Sequence, residues 1–147
     1  MLIRRYTKSD TENVLTLLRL NTPKYFSESE ESDLIYYLED HSENFYLVEE
    51  EEKILACGGF NLLNGGKLVR ISWDIVHPSQ QGKGLGTKLT LFRLEKIQTI
   101  KTVSIIEVRT SQFADKFYEQ FGFVTKEVIN DYWAKGFDLY RMDQTIS

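Results

Sequence analysis

The sequence predicts an α/β domain: one mixed sheet with helices on its faces. Three observations carry this. Apolar residues recur at every second position in some segments and at three- to four-residue spacing in others, and the two kinds of segment interleave. Gly, Asn, Ser and acidic clusters punctuate them at short intervals. With 147 residues, 41% hydrophobic and 27% charged, the chain has the size and balance of one domain, residues 1–147, able to bury a core.

The elements follow in order. LIRRYT (2–7) reads as a short strand, after which Ser9 or Asp10 caps a helix from about Thr11 to Leu20. NTPKYFSESE is a loop, and a second helix covers about Glu28 to Leu38. NFYLVEE and KILACGGFNLL are two strands joined by a tight acidic turn at Glu50 to Glu52. After Asn64-Gly65-Gly66, the segment KLVRISWDIV alternates, which puts Val69, Ile71, Trp73 and Ile75 on one face. A glycine-rich loop then leads into a helix ending near Gln98, with Leu85, Leu89 and Phe92 as its buried stripe. TVSIIEVRT is mostly apolar, as expected of a strand buried on both faces. QFADKFYEQF follows as a helix with Phe113, Phe117 and Phe121 four apart, closed by Gly122. Strands over about Val124 to Ile129 and Phe137 to Met142 finish the chain.

Charge and cysteine content bound the function. A net charge of −4 and a pI near 5.3 give no basic footprint for duplex nucleic acid. The single cysteine, Cys57, forms no internal disulfide and suits a reducing compartment; it reads as a small core residue. MLIRRYTKSD lacks the apolar run of a signal peptide, and no window approaches a membrane span. The expectation is a cytoplasmic protein with neither nucleic-acid nor membrane partners. His41 and His77 stand alone, without the spacing of a metal site.

The least ordinary stretch is VHPSQQGKGLGTKLTLF, residues 76–92, with glycines at 82, 84 and 86 directly before a helix start. A P-loop needs Gly-Lys followed by Ser or Thr, but Gly66-Lys67 and Gly82-Lys83 are followed by Leu68 and Gly84. A dinucleotide fingerprint needs a third glycine at 87, where threonine stands. What remains is strand, loop, glycines and helix, in which successive N–H groups converge on an anion with help from the helix dipole. Lys83 and Lys88 add charge at the rim. The alternative is a turn that merely lets strand and helix pack closely.

VHPSQQGKGLGTKL resembles the acetyl-CoA signature of the GCN5-related N-acetyltransferases, V-x-P-x-x-[Q/R]-x-x-G-x-G/A, with Gln81, Gly84 and Gly86 in motif positions. FADKFYEQFGF resembles the later motif of that family, A-x-x-F-Y-x-x-x-G-F, at the expected distance. The resemblance implies a mixed, mostly antiparallel twisted sheet of about six or seven strands flanked by about four helices. It implies that the backbone amides of Gly82, Lys83, Gly84, Leu85, Gly86 and Thr87 bind the coenzyme A pyrophosphate. The strand end at Asp74, Ile75 and Val76 would pair with the pantetheine arm, and Gln81 and Gln112 join the cofactor-binding set. Acetyl-CoA is then the cosubstrate, and no metal is required.

Amine attack on a thioester needs proton removal from the amine, a donor to the oxyanion and an acid for the departing thiolate. The family places its tyrosine acid at Tyr118, which the helical spacing puts at the border of the core, one residue round from the Phe stripe. Glu107 is the candidate base: it shares a strand face with Val103 and Ile105, and EVRTS resembles a segment carrying the glutamate base of ribosomal-protein N-terminal acetyltransferases. Arg109, two residues on, offers a structural pairing instead. Arg70 stands where the histone-acetylating branch has a glutamate. Tyr25, Tyr132 and Trp133 are candidate acceptor contacts, and the run SESEESD either attracts a cationic acceptor or favours the helix dipole. The implied activity is direct transfer from acetyl-CoA to a primary amine acceptor. A small molecule or polyamine is favoured over a protein N-terminus or lysine, and a homodimer is possible. The alternative is a coenzyme A-binding sensor without turnover.

Overall fold

A computed structural model describes residues 1–146, and it builds seven strands and four α-helices in the order the periodicities predict. They are β1 (Leu2–Arg5), α1 (Thr11–Leu20), α2 (Glu30–Asp40), β2 (Phe45–Glu50), β3 (Lys53–Leu63), β4 (Leu68–Val76), α3 (Leu85–Gln98), β5 (Ile105–Thr110), α4 (Asp115–Glu119), β6 (Val124–Ala134) and β7 (Phe137–Thr145). One sheet holds all seven strands in the order β1-β2-β3-β4-β5-β7-β6. Every pairing is antiparallel except β4 with β5.

Two apolar layers cover the sheet. On one face, Val14, Leu15, Leu17 and Leu18 of α1 and Leu34 and Leu38 of α2 pack on Phe45, Leu47, Cys57 and Ile75. On the other, Leu85, Leu89 and Ile97 of α3 and Tyr118 of α4 pack on Tyr46, Val48, Val69, Ile71, Ile106 and Val108. The alternation in β2 explains why it is buried on both sides: odd positions feed one layer and even positions the other.

The largest departure from the sequence pattern lies in β4. Val69 and Ile71 belong to the α3 layer, but Ile75 belongs to the α1 layer, with Trp73 packed beside it. The four do not share one face. A bulge is the reason: the β3–β4 register slips by one between Cys57↔Ile75 and Gly59↔Ser72. Trp73 takes a left-handed φ of 61°, a conformation a bulky aromatic holds only when its surroundings enforce it. Each side chain beyond the bulge is thereby turned to the opposite face.

Smaller differences have local causes. α2 begins at Glu30 rather than Glu28, because the Glu30 carboxylate accepts from the Ser27 N–H at 2.8 Å and fixes the turn before it. The Asp10 side chain makes no cap bond to α1; it accepts from the Thr7 N–H (2.8 Å) and twice from Arg4 (2.9 Å each), tying β1 to the helix. α4 is a short helix, and of its expected Phe stripe Phe113 is 47% exposed, whereas Tyr118 is buried. The final hairpin is longer than its apolar content suggests, with register shifts at Thr125/Glu127 and Ile129/Ala134.

Candidate active site

The β4–β5 pairing runs from Leu68↔Ile105 to Ile71↔Val108 and stops. Beyond it the two strands part, and a cavity of about 890 Å³ opens between them. Its walls include Arg70 to Val76 of β4, Val108 to Thr110 of β5, the glycine loop and Tyr118. Along this stretch β4 is paired on one side only, by β3, so its other edge presents backbone groups to the cavity.

The loop from His77 to Gly84 is held from both ends. His77 Nδ1 accepts from the Ser79 N–H at 3.1 Å, capping the short turn at Pro78–Gln80. Gln81 Nε2 donates to Asn21 Oδ1 (2.8 Å) and to the Val76 carbonyl (3.1 Å), and Asn21 Nδ2 donates to the same carbonyl (3.1 Å). Gly82 and Gly84 have φ of 78° and 86°, and a Cβ at either would meet nothing within 4 Å. These two are open positions that only the backbone conformation restricts to glycine. Gly86 differs: a Cβ there would stand 3.3 Å from Phe117, so it lets α3 and α4 pack closely. The close-packing reading of the glycine stretch therefore applies at Gly86, while Gly82 and Gly84 stay open.

Beneath the unpaired edge lies a buried polar group. The Tyr118 hydroxyl donates to Asp74 Oδ2, and the guanidinium of Arg93, a fully buried residue of α3, pairs with Asp74 Oδ1 at 2.5 Å. Arg93 is anchored by the carbonyls of Gly59 (3.0 Å) and Leu89 (3.3 Å). Burial, the Asp74 charge and the hydrogen bond to Asp74 together push the Tyr118 hydroxyl well above the usual phenol range, against the opposing charge of Arg93. The phenol stays protonated at neutral pH. Burial likewise pushes up the Cys57 thiol, which is fully enclosed and aimed at the Trp73 carbonyl, so it is no nucleophile.

On the opposite face, Glu107 is not in the apolar surroundings its sequence neighbours suggest. Its Oε1 is bound by Arg70 Nε (2.8 Å) and Arg109 Nε (3.3 Å), and those two arginines, rather than Glu107, line the cavity. Ile105 is 37% exposed, and Val103 precedes β5 and joins the other layer. Two carboxylates of the acidic run are engaged within the protein: Glu30, which also lines the cavity, caps the turn before α2, and Glu31 pairs with Arg19 at 2.9 Å.

Of the residues singled out from sequence, Asp74, Ile75, Val76, Gln81, Gly82, Gly84, Leu85, Gly86, Thr87, Tyr118, Tyr25 and Trp133 converge on this cavity. Lys83, Gln112 and Tyr132 stand outside its lining. Gln112 instead ties the start of α4 to the last hairpin, donating to the Gly136 carbonyl (2.8 Å) and accepting from the Asp138 N–H (3.0 Å). Sequence reasoning missed Arg93. The signal was present: Leu85, Leu89, Arg93 and Ile97 are four apart and all buried, so an arginine occupies the core row that Phe92 was expected to fill. Among the described residues, no group of three or more His, Cys, Asp and Glu side chains is placed to hold a metal ion.

The model of the acetyltransferase (GNAT) family matches residues 11–123. A search of curated proteins finds no match. Among solved structures, Ard1 from Thermoplasma volcanium superposes with a TM-score of 0.83 at 16% identity, covering 99% of this chain and 97% of that one. The ribosomal-protein-S18-alanine N-acetyltransferase from Escherichia coli gives 0.81 at 16%, covering 99% and 94%. An aminoglycoside 6'-N-acetyltransferase complexed with coenzyme A gives 0.79 at 14%, covering 100% and 98%. At such identities the likeness shows the fold, the seven-stranded mixed sheet with four helices. The match of the family model over most of the chain goes further: the chain belongs to the GNAT acetyltransferase family.

Proposed function

We propose that this protein transfers an acetyl group directly from acetyl-CoA to a primary amine. The observation that carries the reading is the parting of β4 and β5 above a buried Tyr118. Bound acetyl-CoA supplies the activated acetyl thioester. The chain supplies the rest. The unpaired edge of β4 takes an extended pantetheine arm as a strand takes a neighbour. The open backbone at Gly82 and Gly84, running into the N-terminus of α3, takes the pyrophosphate. Tyr118 holds a proton at its hydroxyl where a thiolate departs. The acceptor enters from the face bearing Tyr25, Arg70, Arg109 and Trp133, and a small amine or polyamine suits a cleft of this size.

Glu107 belongs to this mechanism as the proton acceptor only through a water passing Arg70 and Arg109. Unchanged turnover in Glu107→Gln removes it from the mechanism. The test of the whole reading is calorimetric titration with acetyl-CoA, with ATP and NAD as controls, followed by a panel of amines assayed for thiol release. Acetyl-CoA binds and at least one amine turns over. Gly84→Val abolishes binding in protein shown to be folded by its melting curve; a Cβ at this position meets no protein atom within 4 Å, and left-handed backbone strain costs about 1–3 kcal/mol. Binding without turnover on any amine would leave a coenzyme A sensor.

A further inference from the structure

The bulge in β4, Gly58 opposite it and the arginine buried in α3 have one common point, the Asp74 carboxylate. We propose that Asp74 and Arg93 are positioning residues for Tyr118: the Arg93-paired carboxylate accepts the tyrosine hydroxyl and fixes its oxygen beneath the unpaired edge of β4. The inference rests on the acetyltransferase reading and extends it to a part of the machinery that the motifs do not contain.

The construction is traceable residue by residue. Without the one-residue slip, strand alternation would put Asp74 on the face of Arg70, away from Tyr118. The left-handed Trp73 turns it inward. A side chain at position 58 would displace the pair, since a Cβ there would lie 2.8 Å from the Arg93 guanidinium and against the Asp74 carboxylate. Arg93 reaches this point as a core residue of α3, held by backbone carbonyls on two elements. A buried ion pair is weak as a source of stability, because desolvation offsets its attraction. Its presence against a buried tyrosine at the edge of the cavity points to a use other than stability.

The arrangement has a chemical consequence. A phenol carries one proton, and Asp74 engages it in the resting state. Rotation about the Cζ–Oη bond turns that proton toward the cavity while the ring, packed against Phe117 and Phe123, holds the oxygen still. The ionisable groups acting on Tyr118 are Asp74 from β4 and Arg93 from α3. Asp74 opposes ionisation of the phenol and Arg93 favours it, so removing the carboxylate must lower the pH at which Tyr118 ionises.

The first test needs no substrate. Phenolate absorbance is titrated in the wild type, Tyr118→Phe, Asp74→Asn and the double variant, and Tyr118 is isolated by difference. Tyr118 ionises about one pH unit or more lower when Asp74 is asparagine; ionisation at an unchanged pH overturns the proposal. Where Asp74→Asn alone fails to fold around an unpaired Arg93, Asp74→Asn with Arg93→Met removes both charges and gives a smaller shift in the same direction. The second test is thiol release from acetyl-CoA with the best amine of the panel. Asp74→Asn lowers kcat about tenfold or more, with KM for acetyl-CoA within about twofold, and adding Tyr118→Phe costs little more. If Tyr118→Phe alone leaves kcat unchanged, the acid assignment fails. If Tyr118→Phe is slow and Asp74→Asn is not, this inference fails and the acid assignment stands.

Discussion

The two halves of β4 are one strand in sequence and two different objects in the fold. Leu68 to Ile71 are paired on both sides, by β3 and β5, and Val69 and Ile71 are fully buried. Ser72 to Val76 are paired on one side only, are bulged, and line a cavity. The first half satisfies its backbone internally and contributes apolar burial. The second leaves backbone groups facing the cavity and turns one carboxylate onto Tyr118 and Arg93. What separates them is a single extra residue, which re-aims every side chain after it.

This contrast can be broken by substitution. Val69→Ala, in the paired half and outside the cavity lining, costs about 0.5 to 3 kcal/mol of stability through a cavity under α3, read from denaturant unfolding. Acetyl-CoA affinity at temperatures where the variant is folded stays near that of the wild type. Tyr118→Phe, beneath the unpaired half, gives the reverse: affinity persists while kcat falls about a hundredfold, the low end of a general acid's contribution. A loss of affinity equal to the loss of kcat would merge the two halves into one binding surface.

Acid stability sharpens the comparison from outside β4. The hydrogen-bonded Arg4 guanidinium, with the Thr7 N–H, holds the Asp10 carboxyl down at about 2, below its usual 3.8. Since the folded state favours the ionised form, the stabilisation is present above about pH 4 and is lost as the pH falls toward 2. It amounts to about 2 kcal/mol. Melting curves between pH 5 and 2 record the loss, and Asp10→Asn flattens that part of the profile. The smallest effect is expected at Lys83, exposed and outside the cavity lining. Lys83→Ala weakens acetyl-CoA binding about threefold at low salt, a difference that disappears near 0.5 M salt.

Much of the fold was legible because it depends on local pattern. The strands β2 and β3 with their acidic turn, the helices α1 and α3 and the turn at Asn64–Gly66 are each specified within a few residues. The glycine loop was legible for a related reason: left-handed backbone at Gly82 and Gly84 leaves a residue type as its trace. The Tyr118 position was legible through its motif, but its burial was not. Helical spacing placed it at the border of a Phe stripe, whereas the short α4 turns Phe113 toward Tyr25 and Phe137 and leaves Tyr118 inside.

By itself, the sequence determined the order of elements, a mixed sheet with helices on its faces, the glycines of the loop and the family. Periodicity and backbone tolerance are properties of near neighbours, and near neighbours are what a sequence displays. Only the tertiary structure decided that β4 is bulged, that Trp73 and Asp74 exchange faces, that Arg93 lies in the core and that Glu107 lies between two arginines. Each of these depends on a partner 16 to 44 residues away (Cys57 with Trp73, Asp74 with Tyr118). A buried charge is stable only when such a partner meets it, and no local pattern records that meeting.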